Sequence, residues 1–139
     1  MRFLLDTHTF LWYIGGHPKL PQTARQQISD LQNTPVLSIA SPWELAIKAS
    51  IGKFTLERTF AELITQKVLG NGIDLLEITA DHLDTLATLP LHHRDPFDRL
   101  IVAQALAEAI PVMSIDKIFD DYSVTRLWSR QETGADGST

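Results

Sequence analysis

The chain has 139 residues, 44% of them hydrophobic, with 12 Lys+Arg against 17 Asp+Glu and a formal charge of -5. That size and apolar content suit one domain with its own core. The acidic balance lacks the footprint of a general nucleic-acid binder, although divalent cations at an acidic site would still attract phosphates. No cysteine is present, which excludes disulfides, thiolate metal sites and cysteine nucleophiles and fits a reducing compartment. The apolar runs are shorter than a membrane span, and MRFLLDT lacks the pattern of a signal peptide. A cytoplasmic protein without a membrane partner is expected.

In chain order, FLL after Arg2 reads as a first strand, followed by helical patterns over TFLWYIG and PQTARQQISDLQN. VLSIA after Pro35 is a second strand and PWELAIKAS a helix. RTFAELITQKVLG is a further helix, closed by Gly70 and Gly72. IDLLEIT is a strand, ADHLDTLATL and PFDRLIVAQALAEA are helices, and PVMSI and SVTRLW complete the strands. Apolar strands that alternate with helices predict an α/β fold, a parallel sheet flanked by helices on both faces. Residues 1–128 are expected to form this single domain. Residues 129–139 are mostly small and polar and are expected to be a disordered tail.

In open α/β sheets ligands bind beyond the carboxyl ends of the strands. Three of the apolar strands deliver an acid there: FLL leads into Asp6, VLSIA into SPWE with Glu44, and PVMSI into Asp116. If these strands are parallel neighbours, three carboxylates converge on one sheet edge. HRDPFDRLIVAQA adds a fourth acid, with Asp95 placed to cap a helix, Pro96 at its first position and Asp98 in its first turn. SPWE reads as the same grammar, a capping box of Ser41 and Glu44 around Pro42. Capping alone accounts for each acid singly, Asp6 and Asp116 included. It does not account for a gathering of acids, which repel one another unless cations neutralise them. Oxygen ligands without Cys or a His set suit Mg²⁺ or Mn²⁺, and metal-assisted phosphodiester hydrolysis is the matching reaction class.

With LLDTHTFLW, SPWELAIK, HRDPFDRLIVAQA and MSIDKIFDDY in this order, the chain resembles a PIN-domain ribonuclease of the VapC type, the toxin of a toxin–antitoxin pair. The resemblance spans nearly all of Met1 to Trp128. It implies a PIN-like fold and a Mg²⁺- or Mn²⁺-dependent endoribonuclease. In its site Asp6, Glu44, Asp98 and Asp116 are catalytic, and Asp6, Asp98 and Asp116 hold the metal. Thr7 and Ser114 supply supporting hydroxyls. Between Asp95 and Asp98, the family pattern favours Asp98 as the site acid and leaves Asp95 a supporting, capping role. The resemblance also implies an RNA substrate, a cognate antitoxin and a homodimer.

Arg94, Arg99, Lys48 and Lys53 lie in or near the helix starts that carry the acids and are candidates for RNA phosphate contact. Solvated surface charge, or for Arg99 an internal pair with a site acid, is the plainer explanation. His92 and His93 are adjacent, without the spacing of a helical metal pair. Phe10, Leu11, Trp12 and Trp43 are candidates for stacking on bases, with core packing the commoner use of such residues. A non-catalytic PIN-like module that binds RNA or protein is the alternative to the nuclease. A haloacid-dehalogenase-like phosphatase fits less well, because DTHT lacks the second aspartate two residues after Asp6.

Overall fold

The structure is a computed structural model that describes residues 1–128; the segment 129–139, expected to be a disordered tail, lies outside the described residues. Five strands form one sheet in the order β3-β2-β1-β4-β5, every neighbouring pair parallel. They are β1 (Arg2–Leu5), β2 (Thr34–Ser38), β3 (Asp74–Leu76), β4 (Val112–Met113) and β5 (Arg126–Leu127). The central strand shows why the sheet is covered on both sides. Phe3 and Leu5 enter one buried cluster with Phe10, Leu37 and Met113, whereas Leu4 enters another with Val36, Ile101 and Val112. Side chains alternate across a strand, so an unbroken apolar run demands two cores. The α/β class and the helix-flanked parallel sheet are as expected from sequence.

Among the described residues six α-helices lie between the strands: α1 (Thr7–Gly15), α2 (Gln22–Ser29), α3 (Ala40–Ser50), α4 (Phe60–Glu62), α5 (Ala80–Ala87) and α6 (Pro96–Glu108). Asp6 caps α1 through the Thr9 N–H, and Gly16 ends it at φ 65°, the left-handed turn that glycine adopts without strain. Helix α6 is buried at every position from Leu100 to Ala105, the pattern of a helix enclosed on all sides. Among the described residues no helix is long and apolar enough to cross a membrane.

Two expectations about local structure are corrected. The run RTFAELITQKVLG is not one α-helix: α4 passes into a π turn over Leu63–Val68 and a 3-10 turn over Leu69–Asn71. Leu63 and Val68 are both buried, and at roughly 100° per residue an α-helix would set them about 140° apart. The wider winding brings residues five apart onto one face. The second correction concerns SPWE, which is no capping box. Helix α3 begins at Ala40 without a side-chain cap at Ile39, and its first turn holds no acid. Ser38 Oγ instead accepts the Ala40 N–H at 3.0 Å, which leaves Ser41 and Glu44 available for contacts across the sheet edge.

Candidate functional site

The three strands followed by acids are neighbours at the centre of the sheet, β2-β1-β4. Asp6, directly beyond β1, is only 6% exposed. One carboxylate oxygen accepts the Thr9 N–H at 2.8 Å and the other accepts the Ser114 hydroxyl at 2.5 Å. Ser114 Oγ in turn accepts the Asp116 N–H at 2.9 Å, so one serine beyond β4 joins two of the acids. Asp116 caps a 3-10 turn over Lys117–Asp121 by accepting the Ile118 N–H at 3.1 Å. Burial pushes the Asp6 carboxyl up from its ordinary acidity, and the bonds from Ser114 and Thr9 work against that shift.

A second chain of contacts ties β1 to α3. The Thr7 hydroxyl donates to Glu44 Oε1 at 2.9 Å. Its proton is thereby committed, so Ser41 Oγ, 2.8 Å away, is the donor to Thr7. The other Glu44 oxygen faces Lys48 Nζ at 2.9 Å.

The two acids at the start of α6 differ in setting. Asp95 is exposed and accepts both the Phe97 and Asp98 N–H groups, at 2.8 and 3.1 Å. Asp98 is partly buried, and its carboxyl is pushed up to about 7, first by burial and then by the charges of Asp95, Glu44, Asp6 and Asp116. All four other acids are therefore near enough to be felt at Asp98. They gather as a charge cluster and not as a closed ligand shell: among the described residues no group of three or more His, Cys, Asp or Glu side chains is placed to hold a metal ion. In this conformation Asp6, Glu44 and Asp116 are each engaged by hydrogen bonds from the protein.

The candidate cations are placed differently from one another. Arg94 is exposed. Lys48 is paired with Glu44. The Arg99 guanidinium is turned to the Pro90 and Leu89 carbonyls at 2.8 and 3.4 Å and to the Tyr122 hydroxyl. Those bonds tie the loop before α6 to the helix. His93 belongs to the same loop, with Nε2 2.8 Å from Asp121 Oδ2. Of the stacking candidates Phe10 is core, and Leu11 and Trp12 pack against that core. Trp43 is 51% exposed and meets Phe97 edge-on.

Sequence reasoning read Ser41 only as a cap and missed Thr9 and Arg126. Thr9 Oγ1 donates to the Met113 carbonyl at 3.1 Å, which fixes α1 to the end of β4. Arg126 is buried, pairs with Asp120 and donates to the Ser114 carbonyl at 3.1 Å, so it braces the residue that links Asp6 and Asp116. The available signal was an arginine inside the strand pattern SVTRLW, where a buried charge requires partners.

Comparison with solved structures gives the same architecture. VapBC2 from Rickettsia felis, bound to a DNA fragment from their promoter, matches with a TM-score of 0.69 at 16% identity, over 93% of this chain and 100% of that chain. VapBC-1 from nontypeable Haemophilus influenzae matches with a TM-score of 0.61 at 16% identity, over 91% and 97% of the two chains. FitAB bound to an IR36 DNA fragment matches with a TM-score of 0.58 at 18% identity, over 93% and 96%. No curated protein matches the sequence. The family model for the PIN domain matches residues 3–124, and with that match added to the parallel sheet and its edge of acids, the chain belongs to the PIN domain family.

Proposed function

We propose that this chain is a metal-dependent endoribonuclease acting as the toxin of a toxin–antitoxin pair. The observation that carries the reading is the state of Asp98, pushed up to about 7 by burial and by four neighbouring acids. Acids gathered beyond the central strands of a PIN-family chain carry the repulsion that a bound cation would relieve. The VapBC and FitAB likenesses support an antitoxin as partner. The finer assignments, Mg²⁺ or Mn²⁺, an RNA substrate, a homodimer and a cytoplasmic location, belong to this proposal.

The donor set fits a hard cation in its chemistry, since every acid offers oxygen alone. Asp6, Asp98 and Asp116 would hold the ion, with Glu44 completing the acidic edge. When bound, such an ion polarises phosphoryl oxygens and lowers the pKa of water. The protein's own contribution is orientation. Ser114 and the Thr9 N–H hold both oxygens of Asp6, and Thr7, itself held by Ser41, fixes Glu44. Hydrolysis joins a water oxygen to phosphorus and breaks a P–O ester bond; the leaving oxygen ends protonated and the water proton passes to a base.

The test incubates total bacterial RNA with the purified, antitoxin-free protein and with Asp6→Asn, in Mg²⁺, Mn²⁺ or EDTA, and maps new RNA ends. Discrete cuts that need both metal and Asp6 are expected. Equal cutting by a folded Asp6→Asn variant would overturn the assignment. The alternative, a PIN-like module that binds RNA or protein without cleaving, has the intact set of acids Asp6, Glu44, Asp98 and Asp116 against it. It predicts binding that survives EDTA and loss of Asp116, with no cuts under any condition.

A further inference from the structure

We propose that Trp43, backed by Phe97, is a stacking platform for an RNA base next to the phosphodiester that the acids address. The identity of the ligand rests on the ribonuclease reading. Trp43 is the bulkiest side chain left half-exposed, at 51%, while Phe3, Phe10 and Phe119 are fully buried. Its exposure is not looseness, because the ring is held against Phe97 with centroids 5.0 Å apart and planes at 79°. In either sense of such an edge contact, at least one indole face stays clear of Phe97.

The position of the pair argues for its occupant. Trp43 directly precedes Glu44 on α3, and Phe97 directly precedes Asp98 on α6. The ring pair therefore bridges the same two helices that bring those acids to the sheet edge, so platform and acids adjoin. A phosphate drawn to a cation held by the acids carries its own nucleoside, and an indole face beside it offers a base a surface that accepts any of the four. Lys48, partly exposed one turn beyond Glu44, adds a cation on the same helix. Ile47 and Ile51 continue the exposed side of α3 at 41% and 61%, a stripe at helical spacing that a protein partner would also use. That partner is the competing outcome. The contiguity of the rings with the carboxylates favours RNA at the Trp43 end.

The platform is tested by binding of a short fluorescein-labelled oligoadenylate in Ca²⁺, with the oligonucleotide confirmed intact on a gel, across a range of salt concentrations. Trp43→Ala is expected to weaken binding roughly 5- to 150-fold, and Trp43→Phe to restore most of it. The slope of affinity against salt should not change, because stacking neutralises no phosphate. In parallel, the unaltered protein is photocrosslinked to an oligonucleotide carrying 5-iodouridine, with the adduct expected on the Trp43 peptide. This arm decides the matter if Trp43→Ala fails to fold. Binding by Trp43→Ala within twofold of the parent, or an adduct only elsewhere, overturns the proposal. So does a change of oligomeric state in sedimentation with RNA binding intact, which would make the patch a protein interface. Loss of binding in Trp43→Ala, together with undiminished cutting by Asp6→Asn, would leave the platform standing and remove the acid assignment instead.

Discussion

Asp98 and Glu108 lie on the same helix, one in the first turn of α6 and the other at its last residue, and their surroundings move their acidities in opposite directions. Asp98 shares its space with Asp95, Glu44, Asp6 and Asp116 and is pushed up to about 7. Glu108 accepts hydrogen bonds from His82 and Arg2, at 2.8 and 2.9 Å, and is held below the ordinary glutamate range by the two, His82 first. The tautomer of His82 follows from its other nitrogen. Nδ1 accepts the Thr79 N–H at 3.0 Å, so Nε2 carries the proton and donates to Glu108. At one end of the helix charge is compensated and a buried histidine joins α5 to α6. At the other, like charges are concentrated at a cost to the fold, as expected of a site whose partner comes from outside the chain.

The widest separation between the two ends should come from Asp98→Asn. Cleavage by this variant is expected to fall by more than the roughly 10- to 100-fold that follows loss of an outer-shell partner, while the metal-free protein gains stability. The sign follows from the raised acidity constant. In the unfolded chain the group ionises near the ordinary aspartate value of 3.8, but in the fold only near 7. Its contribution to stability therefore declines as pH rises between those values. Asp98→Asn should recover roughly 1–3 kcal/mol at pH 8 and nothing below about pH 4, read from urea melts in EDTA. Added Mg²⁺ should raise the melting temperature of the parent more than that of the variant. Equal stability of parent and variant at pH 8 would mean that the acids do not repel as described.

At the compensated end, His82→Ala should cost about 2–4 kcal/mol, because it empties a buried site and removes a donor to Glu108. Cleavage at a temperature where the variant is folded should be unchanged. A loss of activity in that folded variant would show that the two ends of α6 are coupled. Glu108→Gln sharpens the contrast in pH. The folded acidity of Glu108 lies below the ordinary glutamate value of 4.5, so its contribution is present above that value and lost as pH falls through the folded one. Acid melts of Glu108→Gln should therefore be flatter than those of the parent below pH 4.5, opposite in direction to the Asp98 effect.

The smallest expected effect is beside Glu108. Ala109 ends α6 at φ 57°, the one non-glycine residue with positive φ among the described residues. Ala109→Gly should gain about 0.5–1 kcal/mol by relieving that strain against the added freedom of the unfolded chain. A calorimetric loss instead would mean that the alanine methyl packs usefully.

How far the site was legible differs from residue to residue. Asp6, Asp95 and Asp116 occupy capping positions that local sequence specifies, and all three cap as their neighbours suggest. Glu44 was placed in a first turn by the look of SPWE, yet α3 starts a residue earlier than Ser41, at Ala40, because Ser38 satisfies the Ala40 N–H. The choice was invisible locally, since Ser38 and Ser41 offer the same hydroxyl. Thr9 acts on Met113 from 104 residues away in sequence and Arg126 on Ser114 from 12, and neither contact follows from a helical or strand period. The break of α4 into wider turns likewise follows from where Leu63 and Val68 find a core, not from their helix propensities.

The amino-acid sequence by itself determined the alternation of elements, the parallel sheet with two covered faces and the delivery of acids to the ends of its central strands. These follow from periodicity and strand chirality, which act over a few residues or a single crossover. Only the tertiary structure decided which hydroxyl holds which acid, that Arg99 ties down a loop, and that Trp43 meets Phe97 with half its surface in solvent. Those outcomes depend on competition among distant partners for the same donors and the same core volume, and that competition exists only once the chain has closed on itself.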